Sequence, residues 1–146
     1  MPVIGREEIL KHVPHAGPMC LIDEVASWDA SRIVCIARNH AREDHPLRRF
    51  GRLSALHLIE YGAQAMAIHG ALLERERGAK AQPGMLVSVR DFQTTVLVLD
   101  SLAGELTIEA HSQMARPGAL IYEFRCRHEG SAIASGRVAV MLSIAA

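Results

Sequence analysis

The stretch 54–77, SALHLIEYGAQAMAIHGALLERER, decides how this chain folds. It has no proline and is rich in alanine, leucine and glutamate, which lose little side-chain freedom in a helix, so it predicts a helix of about six turns. At about 100° per residue, Leu58, Ile59, Gly62, Ala63, Met66, Gly70 and Leu73 share one broad side that is apolar and unusually small. His57, Glu60, Tyr61 and Gln64 form a polar arc near the amino end, and Ala67, Ile68 and Ala71 continue that arc in apolar form. A helix apolar on nearly every side is a buried helix. Burying a carboxylate is costly, which makes Glu60 the first candidate functional residue.

Working outward, residues 41–53, AREDHPLRRFGRL, form a polar loop that feeds into the helix, and the charged stretch 74–84, ERERGAKAQPG, with Gly78, Pro83 and Gly84 forms its exit. Before the loop, the apolar run 19–25 and the alternating run 31–40 read as two strands. Residues 4–13 carry Ile9, Leu10 and Val13 at helical spacing, and Pro14 stops them. After the helix come four strand candidates, 85–99, 106–115, 119–128 and 132–144, separated by short turns. One short helix, two strands, one long buried helix and four strands with hairpin-length connections predict an α+β fold in which an antiparallel sheet curls around the central helix.

The chain has 146 residues, suited to a single domain spanning 1–146. Hydrophobic residues at 49% against charged residues at 22% place it among globular proteins, and aromatics at 4% leave the core to aliphatic side chains. Lys+Arg and Asp+Glu balance at 16 each, so the global field that would gather nucleic acid is missing. No apolar run has membrane-spanning length, and MPVIGREEILKH lacks the order of a secretory signal, so a cytoplasmic protein is expected. Cys20, Cys35 and Cys126 sit singly in apolar runs and read as core packing. Eight histidines invite a metal reading, but no ligand pair stands at zinc-site spacing with a third acid or thiol. No metal is expected.

Two segments carry a family resemblance. Pro14-His15-Ala16-Gly17-Pro18-Met19-Cys20-Leu21-Ile22-Asp23-Glu24-Val25 resembles the opening motif of the β-hydroxyacyl-acyl carrier protein dehydratases of type II fatty acid synthesis. Leu58-Ile59-Glu60-Tyr61-Gly62-Ala63-Gln64-Ala65 resembles their central-helix motif, with glutamine four residues after glutamate. The nearest resemblance is to the dehydratase-like subgroup that includes proteins of aryl-polyene biosynthesis.

The resemblance implies a hot-dog fold, an antiparallel sheet wrapped around a long helix, paired as a homodimer or as a heterodimer with a related hot-dog protein. It also implies that no cofactor is needed and that the substrate is an acyl group on the phosphopantetheine arm of acyl carrier protein. The expected reaction is dehydration of a β-hydroxyacyl thioester to a trans-enoyl thioester. Its catalytic pair would be Glu60 as acid and His45 as base, meeting across a dimer interface, with His40 as a rival base and Gln64 positioning the substrate. An imidazole can remove the α-proton and a protonated carboxyl can donate to the leaving hydroxyl. Helix-start amides near Ser54 and Ala55 are the expected donors to the enolate. Arg48 and Arg49, beside Arg42 and Arg52, are candidates for docking the acidic carrier or its phosphate.

The loop HPLRRFGRLSAL departs from the family pattern. It has one residue more between histidine and glutamate and lacks the Pro-Gly pair before the helix. Two other readings therefore stand beside the dehydratase: a hot-dog thioesterase in which Glu60 activates water, and a non-catalytic partner of a competent dehydratase.

Overall fold

The computed structural model describes residues 3–11, 17–79 and 84–142. In chain order the elements are β1 (Ile4–Gly5), α1 (Arg6–Leu10), β2 (Glu24–Trp28), β3 (Arg32–Ala37), α2 (Leu58–Glu76), β4 (Gly84–Thr94), β5 (Leu106–Arg116), β6 (Ala119–His128) and β7 (Ser131–Leu142), with 3-10 turns over Gly17–Met19 and Ala55–His57. The strands form one sheet in the order β1-β2-β3-β5-β6-β7-β4, each adjacent pair antiparallel. The sheet wraps α2, the architecture the sequence implies.

The hairpins follow from their turn residues. Pro117 and Gly118 join β5 to β6, with Gly118 at φ +84°. Glu129 and Gly130, at φ +51° and +81°, join β6 to β7 in the primed geometry that matches strand twist. The expected strands 106–115 and 119–128 agree with β5 and β6, and the 132–144 run with β7 as far as Leu142; residues 143–144 and the Pro14-His15 turn lie outside the described residues.

Four boundaries differ, each for a local reason. Ile4 and Gly5 pair with Val25 and Glu24, so α1 keeps only five residues of the expected 4–13 helix. Cys20, Leu21 and Ile22 are fully buried yet not in a strand. The Gln64 amide serves their backbone instead, accepting from the Leu21 N–H at 2.8 Å and donating to the Met19 carbonyl at 2.8 Å. β3 ends at Ala37 because the Arg38 N–H turns to Asp23 Oδ2 at 2.6 Å. β4 stops at Thr94, whose hydroxyl accepts from the Val96 N–H while the Thr95 N–H bonds the Ile133 carbonyl.

The sheet buries Leu58, Tyr61, Gly62, Gln64, Ala65, Met66, Ile68, His69, Ala71 and Leu72 of α2. It leaves a stripe of half-buried or exposed residues, Ile59, Glu60, Ala63, Ala67, Gly70 and Glu74. The expected small-residue side is thus divided, Gly62 and Met66 inside, Ile59, Ala63 and Gly70 on the margin. Gly62 is required by contact: a Cβ there would stand 2.5 Å from Phe124 Cγ, and one on Gly136 would stand 2.9 Å from the same ring.

The three cysteines are buried and unpaired, as core packing requires. At the far end of the sheet β4 is an edge strand of 11 residues whose Met85, Leu86 and Val87 are 69%, 42% and 50% exposed. Among the described residues no helix is long and apolar enough to cross a membrane.

Candidate active site

The loop before α2 is closed on itself by Arg48. Its guanidinium donates to the carbonyls of His40 at 3.0 Å, Arg42 at 3.0 Å and Gly51 at 3.1 Å. At the tip, Arg49 and Arg52 exchange backbone hydrogen bonds of 2.8 and 2.9 Å around Phe50 and Gly51, both at positive φ, and Phe50 stands fully exposed. Arg49 Nη1 donates to the Pro46 and Arg48 carbonyls, and Arg42 forms a two-point ion pair with Asp44 at 2.9 and 3.0 Å. Arg48, the expected docking residue, has a structural role in this chain, since five N–H donors in a fixed fork suit a ring of carbonyls as well as a phosphate.

This closed loop pushes His45 inward, where it is 5% exposed. The Leu47 N–H donates to its Nδ1 at 3.1 Å. Its Nε2 lies 2.9 Å from the Tyr61 hydroxyl, which donates to Asn39 Oδ1 at 2.9 Å, and Asn39 Nδ2 donates to the Leu21 carbonyl at 3.2 Å. Burial first, and then the positive field of Arg48, pull the His45 pKa down to about 4, so the ring is neutral at physiological pH. Burial likewise pushes the Tyr61 phenol well above its ordinary range. Outside His45 opens a polar pocket of about 260 Å³ lined by Arg6, Asp23, Asn39, Arg42, Asp44, His45 and Pro46.

His40, the rival base, is fully buried with Nε2 against the Leu102 carbonyl at 2.7 Å and Nδ1 unpartnered. Desolvation lowers its pKa. Its imidazole is sealed within this chain and anchored to the 99–102 turn.

Glu60 and Gln64 lie one turn apart on α2 but in different settings. Glu60 is half-buried rather than buried, on the stripe the sheet leaves uncovered, and its Oε1 accepts from Gln64 Nε2 at 3.3 Å. Gln64 is 1% exposed and both ends of its amide serve the 19–21 backbone, so it organises the wall beside Glu60 rather than meeting a ligand.

The helix start also differs from expectation. The Ser54 hydroxyl accepts from the Leu56 N–H at 3.2 Å, the Ala55 N–H donates to the Leu97 carbonyl at 2.9 Å, and the His57 N–H donates to the Ser54 carbonyl. The Ala55 amide expected as an enolate donor is engaged because residues 53–55 bridge to 97–99. Tyr61 and Asn39 are the site residues that spacing did not assign. The signal available was a lone tyrosine inside the polar arc of an aromatic-poor chain.

With this geometry in place, comparison with known proteins is decisive at the family level. The ApeP-like family model, described as ApeP dehydratase, matches residues 7–144. The chain belongs to the ApeP-like dehydratase family. The search of curated protein sequences found no match. Among solved structures, this ApeP-like chain is similar to a chain of the dehydratase heterocomplex ApeI:P from Xenorhabdus doucetiae, with a TM-score of 0.82 at 20% identity over 93% of this chain and 91% of that one. It is also similar to a thioesterase from Haemophilus influenzae, TM-score 0.68, 12% identity, 94% and 89% covered. A hypothetical thioesterase with coenzyme A from Streptococcus pneumoniae follows at TM-score 0.60, 11% identity, 82% and 84% covered. At such identities these likenesses show the hot-dog fold and nothing finer.

Proposed function

We propose that this ApeP-like chain is one subunit of a mixed hot-dog dimer that dehydrates β-hydroxyacyl thioesters, carried by acyl carrier protein in the cytoplasm, to trans-enoyl thioesters. The observation that carries this reading is the placement of Glu60. It stands half-buried on the one stripe of α2 that the chain's own sheet does not cover, at the amino end of the helix. At that half-buried position the carboxyl can be reached by a group that a neighbouring chain brings to the helix. The edge strand β4, long and with Met85, Leu86 and Val87 exposed, supports a second hot-dog chain as the neighbour, because an apolar edge of this length is otherwise a template for aggregation.

In the proposed reaction an imidazole takes the α-proton, the resulting enolate expels the β-hydroxyl, and the Glu60 carboxyl protonates it, so that water and the trans-enoyl thioester leave together. Gln64 fixes the wall behind Glu60 through the 19–21 backbone.

The reading is tested by assembling the chain with its hot-dog partner and following enoyl formation from a β-hydroxyacyl carrier substrate. Glu60→Gln should lower turnover by about 100-fold or more, the scale of a lost general acid. Undiminished turnover would remove Glu60 from the chemistry.

A further inference from the structure

The turn of α2 that carries Glu60 grips one residue of the facing wall, Leu21, by both of its backbone groups. We infer that Asn39 and Tyr61 are positioning residues for the Glu60 carboxyl, acting through Leu21 and Gln64. Their bearing on turnover rests on the dehydratase reading; their link to Gln64 stands on hydrogen-bond geometry within this chain.

Two side chains of α2 flank Glu60, Tyr61 beside it and Gln64 one turn on, and each reaches a different end of Leu21. Gln64 Oε1 accepts from the Leu21 N–H at 2.8 Å. The Tyr61 hydroxyl donates to Asn39 Oδ1 at 2.9 Å, and Asn39 Nδ2 donates to the Leu21 carbonyl at 3.2 Å. These bonds close a ring, Tyr61 to Asn39 to Leu21 to Gln64, whose last side is the helix itself. Leu21 is fully buried and lies outside the sheet, so side chains supply its backbone with the partners that a neighbouring strand would otherwise give.

Groups that can act in one sense only fix the direction of every bond in the ring. The Leu21 N–H can only donate, so Gln64 turns its carbonyl oxygen there and gives its amino group to the Met19 carbonyl at 2.8 Å and to Glu60 Oε1 at 3.3 Å. The Leu21 carbonyl can only accept, so Asn39 offers it Nδ2 and keeps Oδ1 for Tyr61. With its proton given to Asn39, the Tyr61 oxygen accepts from His45 Nε2 at 2.9 Å. Flipping either amide would set donor against donor or acceptor against acceptor, where Tyr61 is fully buried and Gln64 is 1% exposed. Glu60 Oε1 therefore meets an N–H of Gln64, and a movement of Leu21 is passed to that bond through the Gln64 amide. Asn39 is the place to open the ring, because it is half-buried and lines the polar pocket of about 260 Å³ rather than the core.

The test begins with the full chain alone, followed through the side-chain ¹H–¹⁵N signals of Gln64. In the parent these protons should exchange with water at least about tenfold more slowly than those of an exposed glutamine, and their shifts should move in Glu60→Gln. A Gln64 amide that exchanges freely, or that ignores Glu60→Gln, overturns the inference. Asn39→Asp keeps an acceptor for Tyr61 but turns an oxygen toward the Leu21 carbonyl, so the Gln64 signals of the folded chain should move and lose about tenfold in protection. A residue that merely stabilises the fold would lower the melting temperature and leave those signals in place, and that result overturns the inference. Should Asn39→Asp not fold, Asn39→Ser opens the same ring by shortening the side chain and is read in the same way. In the assembled complex Asn39→Asp should lower kcat for enoyl formation by about tenfold with KM within about twofold, the pattern of a displaced catalytic group. An unchanged kcat would remove the positioning role. A parent complex that forms no enoyl product would end the dehydratase reading, with the Gln64 signals still deciding whether Asn39 and Tyr61 hold the turn that bears Glu60.

Discussion

Two buried histidine–tyrosine pairs hold this molecule together, and they are wired in opposite directions. His69, in the middle of α2, has Nε2 2.7 Å from the Asp29 carbonyl and Nδ1 against the Tyr122 hydroxyl. The carbonyl demands a proton on Nε2, so Nδ1 accepts and Tyr122 donates. His45 also carries its proton on Nε2, but there the Leu47 N–H has claimed Nδ1, so Tyr61 accepts. The rings differ in pose as well, edge-on at 80° for His69 and near parallel at 25° for His45. A histidine's chemistry is thus decided by the backbone group facing its other nitrogen.

Removing the two tyrosine hydroxyls separates the pairs most strongly. Tyr61→Phe strands the buried His45 Nε2–H and the half-buried Asn39 Oδ1, and should cost about 2–4 kcal/mol in denaturant unfolding. Tyr122→Phe strands the His69 Nδ1 lone pair and removes a partner from the half-buried Ser112 side chain, and should cost about 1–2 kcal/mol. Equal losses would break the contrast.

Acid should distinguish the pairs next. The His45 pKa falls from its ordinary 6.5 to about 4, and that of His69 is lowered too, although there the Asp29 carbonyl works against burial. A lowered folded pKa means that the unfolded chain binds the proton first, so the stabilisation is fully present above about pH 6.5 and is lost as the pH falls toward 4. Urea midpoints measured across that window should flatten more in His45→Gln than in His69→Gln. A steeper slope in His45→Gln would reverse the sign. The smallest expected effect is that of Glu60→Gln on stability, within about 0.5 kcal/mol, because the change keeps the side chain's size at a half-buried position outside both pairs. A large loss there would make Glu60 structural.

The periodic elements were legible in the sequence because their signals are local. Of the expected 54–77 helix, Leu58–Glu76 form α2 behind a 3-10 turn over Ala55–His57, and the Pro117-Gly118 and Glu129-Gly130 turns set β5, β6 and β7 close to expectation. The site was legible only in part. The apolar helix predicts a buried Glu60, yet Glu60 lies on the half-buried or exposed stripe with Ile59, Ala63 and Ala67. Gln64 read as a ligand group, although it completes the backbone of residues 19–21 from more than forty positions away. Ala55 read as a free donor until the 97–99 bridge engaged its amide. Each departure comes from a contact between distant parts of the chain, which helical periodicity does not encode. The His45 tautomer belongs to the same class, since it depends on the Leu47 N–H and on Asn39 together.

The Arg48 clasp has a consequence for how the loop behaves as a mechanical part. A guanidinium ringed by the His40, Arg42 and Gly51 carbonyls occupies the place that a calcium ion takes in a cation-nucleated loop, but as a covalent member of the chain it cannot be diluted away or chelated. Residues 40–51 are therefore braced from within, with Phe50 at the exposed rim and His45 at the buried root.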